Sequence, residues 1–366
     1  MNENFDRESL CRAWLQNARG LTWQARETLL TYYGSAETVY DLLGGTTLAI
    51  AGEKAYKELS ESKNAGLEKI REKLLSLNAG VIIRGQSGYP CLLEEIPDPP
   101  HALFVRGRGG DDEMSVAIVG SRRETRYGRS QAYNIAKELA MNGITVVSGL
   151  ARGIDTAAHE GALAGGGRTV AVLGNGIESI YPPENNDLAK RIVENGGAIY
   201  SEFPMDAMPL AHHFPVRNRI ISGICAAVLL IEGHSRSGTM ITAGYAAEQG
   251  REVFALPGMV DAPGSAAPLR LLREGANICT CARDILEDMR WTAKKEKEFE
   301  IEQNSQMLTQ VQQLIVKQLE SEQKHFEELV ESTGISSDLL TSELTMLELD
   351  GVIESRAGRA YALVKK

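Results

Sequence analysis

The stretch VAIVGSRRETRYGRSQAYNIAKELAMNGITVVSGLARGID, residues 116–155, decides the fold. Residues 116–119 are a short apolar run of the kind that forms a strand buried on both faces. Gly120-Ser121 breaks that run, and Tyr127-Gly128 leads into a helix with apolar residues at Ile135, Leu139 and Ala140. Residues 144–147 form the next apolar run, and Ser148-Gly149 the next break. One βα unit therefore opens straight into another. Parallel strands joined by helices place both glycine turns at the carboxyl edge of the sheet, where open α/β sheets bind ligands.

Charge adds a second message. Arg122, Arg123, Arg126 and Arg129 fall within eight residues, opposed only by Glu124, and Arg152 joins them from the second turn. Backbone N–H groups at a helix N-terminus, flanked by guanidinium groups, suit a phosphate or a phosphodiester backbone. Solvated arginines that bind nothing also occur on βα turns, but their crowding at two turns of one edge favours a phosphate site.

Outward from this stretch the alternation continues. Apolar runs at residues 169–173, 198–200, 227–231, 252–256 and 277–279 read as strands. Breaks follow at Gly174-Asn-Gly176, Ser201-Glu202-Phe203-Pro204, Glu232-Gly233 and Pro257-Gly258. Such a series predicts an α/β fold: a Rossmann-like, doubly wound, mostly parallel sheet over residues 79–290. Residues 79–115 bridge into it, with strands at 81–83 and 103–105. The proline-rich turns there fix an extended element on the sheet edge.

Residues 1–78 read as a small helical domain of SAM or helix-hairpin-helix type. Leu10, Trp14, Leu15 and Leu21 suit one helix and its turn; Leu29, Leu30, Val39, Tyr40, Leu42 and Leu43 suit shorter ones. Ala18-Arg19-Gly20-Leu21 stands where a glycine-flanked apolar hairpin turn would be expected, so a packing module and a DNA-backbone contact both remain open. Residues 291–306 are a charged linker. Residues 307–366 read as a helix with Leu308, Val311, Leu314 and Ile315, a second with Phe326, Leu329 and Val330, a third with Leu339, Leu340, Leu344, Leu347 and Leu349, and a hairpin of Gly351-Val352-Ile353 and Tyr361-Ala-Leu-Val364 turning at Gly358, a winged-helix domain. Its 6 Lys+Arg face 10 Asp+Glu, and its third helix carries Glu343, Glu348 and Asp350. Such a helix would meet a duplex with like charge, which favours a protein-contact or regulatory role.

Composition narrows the classes further. The 366 residues contain five cysteines, Cys11, Cys91, Cys225, Cys279 and Cys281, too scattered for a disulfide framework. Cys279-Thr-Cys281 lacks a second pair, so no metal site is expected. No apolar run approaches a membrane span, and Asp6, Arg7 and Glu8 interrupt any signal-peptide pattern, so the expected location is cytoplasmic. Net charge is −10, yet residues 116–260 hold 13 Lys+Arg and 13 Asp+Glu. A basic cleft in an acidic protein still steers a polyanion to one face.

Conventional catalytic and cofactor motifs are missing. There is no GxxxxGK[ST] loop and no GxSxG elbow, and Gly120-Ser-Arg122 replaces GxGxxG, so no nucleotide cofactor is expected. Ser148, Asp155 and His159 invite a triad reading, but Asp155 is more simply a helix N-cap and His159 a partly buried polar neighbour. Two further stretches bring polar groups to the same edge. Arg217-Asn218-Arg219 precedes a helix, and Ser237-Gly238-Thr239 opens another, where hydroxyl and N–H groups would cradle a second phosphate. Adjacent His212 and His213 do not have metal-ligand spacing.

These pieces carry a resemblance. VAIVGSRRETRYG, SGLARGID, IYPPEN, FPVRNRIISG, SGTMITA, GREVFALPG and LLREGA occur in the order found in the DNA-processing protein A (DprA/Smf) family. The resemblance implies a non-catalytic single-stranded DNA-binding protein that protects incoming strands during natural transformation and loads the recombinase RecA. It also implies a homodimer formed by the Rossmann-like domain, with the contact around residues 269–276, and no nucleotide cofactor. Carried over, the DNA grips are Gly120, Ser121 and Arg122, with Arg123 and Arg126 beside them; Ser148, Gly149, Arg152 and Gly153; Arg217, Asn218 and Arg219; and Ser237, Gly238 and Thr239. Pro183 and Glu184 stand where some relatives carry a basic residue. Gly264-Ser-Ala-Ala-Pro268 is poorer in polar groups than the family's usual Gly-x-Asn. The rival is an enzyme resembling the cytokinin-activating phosphoribohydrolases, which use a PGGxGTxxE turn; here Thr242 stands in place of that glutamate.

Overall fold

The parallel strands are short and β-branched, and most are buried along their whole length. In chain order they are β1 (Gly80–Ile83), β2 (Ala102–Gly107), β3 (Ser115–Val119), β4 (Thr145–Ser148), β5 (Thr169–Val172), β6 (Ala198–Ser201), β7 (Ala227–Leu230), β8 (Glu252–Ala255) and β9 (Asn277–Ile278). The computed structural model describes residues 5–110, 112–235, 237–291, 309–319, 323–349, 353–356 and 359–363. Every residue of β3 to β7 is buried, as expected for strands covered on both faces. Alternate residues supply opposite faces: Val170 and Val172 join one core cluster, Ala171 and Leu173 the other.

The sheet order is β1-β2-β6-β5-β4-β3-β7-β8-β9. From β3 the chain steps outward to β6 through parallel pairs, then returns to place β7 parallel to β3 on its other side. The strand order reverses between β3 and β7. That junction is the topological switch point, where the loops after two neighbouring strands diverge and leave a crevice. β1 and β2 complete the β6 edge as antiparallel strands, making the sheet mostly parallel.

Helices α7 (Arg126–Met141), α8 (Ile154–Ala164), α9 (Asn186–Glu194), α10 (His213–Ile224), α11 (Gly238–Glu248) and α12 (Ala266–Arg273) connect the parallel strands. Ile220, Ile221 and Ile224 of α10 pack on the cluster containing Val119, Val172 and Leu230. Leu188, Ala189 and Ile192 of α9 pack on the opposite one.

Among the described residues, the short α6 (Cys91–Glu94) follows β1, and helices α1 (Arg7–Asn17) to α5 (Leu67–Ser76) precede the sheet. Their Trp14, Leu29, Leu59 and Leu74 share one core cluster with Phe104, Leu173 and Ile199 of the sheet. Leu42, expected among the packed positions, is 62% exposed. The Ala18–Leu21 turn is committed to its own protein: Arg19 N donates to Glu58 at 2.6 Å, and its guanidinium pairs with Asp206 at 2.5 Å. Residues 1–292 form one compact unit and 293–366 a second.

Within the second unit, helices Gln310–Leu319, Phe326–Thr333 and Ser337–Leu349 enclose Ile315, Leu329, Leu340, Leu344 and Leu347. Ile353–Arg356 and Ala360–Leu363 pair antiparallel as the wing. Leu314 and Leu339, read as helix core positions, are 40% and 44% exposed. Residues 292–306 of the charged linker, Leu308, Asp350, Gly351-Val352, Gly358 and Val364 lie outside the described residues. Among the described residues no disulfide joins any of the five cysteines, and no helix is long and apolar enough to cross a membrane.

Candidate nucleic-acid interface

The switch-point crevice is a cleft of about 730 Å³ walled by the turns after β3 and β7 and the N-terminal ends of α10 and α11. Its first wall is locked from beneath. After β3, Ser121 O accepts from Ile154 N at 3.1 Å, and Ser121 Oγ accepts from Arg123 N at 3.0 Å. Thr125 caps α7 by accepting from Gly128 N at 3.0 Å. Buried Glu232, just past β7, accepts from Thr125 N at 2.9 Å and Thr125 Oγ1 at 2.5 Å. A side chain at Gly128 would overlap that carboxylate, so glycine there lets Glu232 reach the Thr125 cap without shifting.

Asp155 organises the second turn. The N-cap of α8 is Gly153, not Asp155 as expected; the Asp155 carboxylate instead folds back onto Gly149 N at 3.1 Å and Ala151 N at 3.4 Å. Burial raises its pKa, while Arg217 and these N–H groups oppose the rise. Ser148 donates to Ile118 O at 2.7 Å. His159 is fully buried, not partly, and its Nδ1 lies 2.7 Å from Thr169 Oγ1. Ser148 and His159 are thus bonded to separate partners, and no triad forms.

Arg217-Asn218-Arg219, expected just before a helix, lies inside α10, and Arg217 forms the floor of the cleft. It is 3% exposed, and its guanidinium donates to Gly149 O at 2.8 Å and also to Val172 O. Burial lowers its pKa to about 10, with Asp155 opposing, so it remains cationic at neutral pH. Above it the Phe214 ring lies 6.0 Å from the Arg217 guanidinium and 4.7 Å from that of Arg122. Tyr181 completes this aromatic corner at 5.9 Å from Phe214. On the far wall Ser237, Gly238 and Thr239 open α11 with no side-chain cap, and all three line the cleft. Arg236 lies outside the described residues.

The sequence-expected residues therefore divide. Gly120, Ser121, Arg122, Arg123, Arg217, Asn218, Ser237, Gly238 and Thr239 line the cleft together. Arg126, Ser148, Gly149, Arg152, Gly153 and Arg219 do not. Arg219 sits in an internal ion-pair network, 2.7 Å from Glu202 and 2.9 Å from Asp98. Arg152 pairs with Glu184, and Arg129 with Glu124 and Glu160. Arg122, Arg123 and Arg126 are exposed and form no ion pair among the described residues. Sequence reasoning missed Asp155, Tyr181 and Phe214 as parts of the site. The last two lie inside IYPPEN and FPVRNRIISG, segments already singled out for their order along the chain.

Comparison with known proteins places this architecture. The family model of DNA recombination-mediator protein A matches residues 80–290, and that of the DprA winged helix domain matches 301–359. Protein Smf of Escherichia coli (strain K12) is 47% identical over 204 residues, 56% of this chain and 54% of that protein. DNA processing protein DprA of Bacillus subtilis (strain 168) is 40% identical over 203 residues, 55% of this chain and 68% of that one. The alignment thus spans about half the length of the first relative and two thirds of the second. The X-ray structure of DprA from Streptococcus pneumoniae superposes with a TM-score of 0.63 at 36% identity, covering 75% of this chain and 95% of that one. The DNA processing protein A of Helicobacter pylori, described for its unique single-stranded DNA binding mode, superposes at 0.51 with 29% identity, covering 58% and 95%. With one family model spanning more than half its length and a second matching its C-terminal unit, the chain belongs to the DNA recombination-mediator protein A (DprA/Smf) family.

Proposed function

We propose that this protein binds single-stranded DNA through its phosphodiester backbone, without catalysis. On this reading it works in the cytoplasm as a homodimer that protects incoming strands and loads RecA onto them in transformation or general homologous recombination. The observation that carries the reading is Arg122: an unpaired guanidinium held over Phe214 at 4.7 Å, facing the uncapped N-terminus of α11 across the cleft. Cations and helix N–H groups suit phosphates, and the aromatic corner offers faces on which bases stack. The similarity to the Helicobacter pylori protein supports the same ligand. The dimer contact is placed on α12 and the turn after it, at residues 269–276.

Three features favour binding over hydrolysis of nucleoside monophosphates. Thr242 replaces the glutamate that the enzyme family's turn supplies. Glu202 is engaged by Arg219 at 2.7 and 2.8 Å, and Glu232 is engaged by Thr125. Neither carboxylate lines the cleft.

Fluorescence anisotropy with labelled oligo-dT and a matched duplex, across a salt series, tests the function. Tight single-strand binding that weakens with salt and exceeds duplex binding is expected. Arg122→Ala should lower oligo-dT affinity by about tenfold and flatten the log–log salt slope by about 0.7, as for one lost phosphate contact. Unchanged affinity in a folded variant would remove Arg122 from the site. No binding of the unaltered protein to either DNA at low salt, with release of free base from nucleoside monophosphates, would establish the enzyme instead.

A further inference from the structure

The loop after β8 presents an apolar tip beside the arginine rim. Met259 is 76% exposed and Val260 90%. Apolar side chains so exposed on a loose loop would carry no message, but this loop is held at both ends. Tyr127 Oη donates to Pro257 O at 3.0 Å, and Gly233 N donates to Gly264 O at 2.7 Å. Its tip is itself a turn, closed by Ala262 N to Met259 O at 3.1 Å. Tyr127 follows Arg126 in the first turn of α7, so its hydrogen bond seats the loop next to Arg126. The Tyr127 ring is 48% exposed, extending the apolar surface toward the unpaired Arg123 and Arg126.

We infer that Tyr127, Met259 and Val260 form a second subsite on the DNA path, one that takes bases rather than phosphates. This rests on the cleft binding a single strand. A strand leaving the cleft by way of Arg123 meets Arg126 next, which continues the cationic track outside the cleft walls. Exposed Asp261 at the loop tip repels phosphates and turns the bases, not the backbone, toward the apolar side chains. Methionine and other apolar side chains serve elsewhere as wedges between bases, and an aromatic ring stacks on any base. A pinned loop loses little freedom on binding, which favours such a contact.

The test compares oligo-dT of about 4 and about 16 nucleotides, the ends of the range that compact single-strand sites occupy. The full-length Met259→Ser, Val260→Ser double variant should keep its thermal midpoint and bind the shorter strand normally. It should lose about tenfold in affinity for the longer one, with an unchanged salt slope. Arg122→Ala should weaken both lengths. Wild-type affinity of the double variant for the longer strand overturns the subsite, including the case in which the tip is a protein-docking surface. Equal losses on both lengths overturn it too, because the loop would then only support the cleft. If the unaltered protein binds neither length, the failure belongs to the reading of the cleft.

Discussion

Gly153 shows how one residue couples the two turns of the site. Its φ is +80°, and an added Cβ would overlap the Ser121 carbonyl oxygen that receives the Ile154 N–H. Alanine there meets both a left-handed backbone cost of about 1–2 kcal/mol and a steric clash with the neighbouring turn. Gly153→Ala should therefore lower unfolding stability by about 2 kcal/mol or more, read from the denaturant midpoint, and weaken oligo-dT binding by displacing Ser121. Gly149 meets a different limit: a side chain there would press on the Arg217 guanidinium that floors the cleft. Both glycines contribute through the space they leave, although neither lines the cleft.

At the scale of elements, Glu232 ties the end of β7 to the start of α7, so the sheet's own switch point sets the geometry of the arginine turn. Glu232→Gln keeps the shape but loses the charge on an acceptor of two hydrogen bonds. It should cost about 1–3 kcal/mol in stability. Oligo-dT affinity should fall as the Thr125 turn relaxes, although removing a negative charge near the proposed phosphate site would by itself raise it; a gain in affinity would refute the positioning role. Between α8 and β5 lies a pH-sensitive contact. Thr169 Oγ1 donates to Val146 O, so His159 Nδ1–H donates to Thr169; His159 Nε2 is buried with no partner among the described residues. Burial, with Arg217 adding to it, lowers the His159 pKa from 6.5 to about 3. The unfolded chain takes up this proton below pH 6.5 and the folded chain does not, so stability falls as pH drops through the window from 6.5 to about 3. The slope is about 1.4 kcal/mol per pH unit for this one group. Denaturant titrations at pH 7 and 5 should show that loss, and His159→Gln should flatten it.

For the whole molecule, the two units have separate cores, which sets a clean expectation for truncation. A chain ending at residue 291 should bind oligo-dT as the full chain does in the same anisotropy titration. A marked loss would assign part of the DNA contact to the second unit. Its third helix argues against that assignment. Asp338 and Glu348 are exposed, and Leu339 and Met346 add apolar surface to the helix, a surface that suits a protein partner better than a duplex.

Residues 116–155 and the runs after them determined the sheet, because short apolar strands bounded by glycine turns leave few ways to bury both faces. The strands expected at 169–173 and 198–200 form at Thr169–Val172 and Ala198–Ser201. The arginine-rich turn and the residues that open α11 were legible for a related reason: a βα turn must lie at the sheet's carboxyl edge. What the sequence alone did not determine is which cations are available there. Arg217 and Arg219 stand two apart on α10, yet one floors the cleft and the other is spent on Glu202 and Asp98. Arg129 and Arg152 are neutralised by Glu160 and Glu184, carboxylates about 30 residues away in sequence. Likewise, Phe214 and Tyr181 become one aromatic corner only when α10 returns across the sheet. Strand formation is settled by local burial pattern, whereas the reach of a guanidinium or a ring depends on partners that only the tertiary fold brings within a few ångströms.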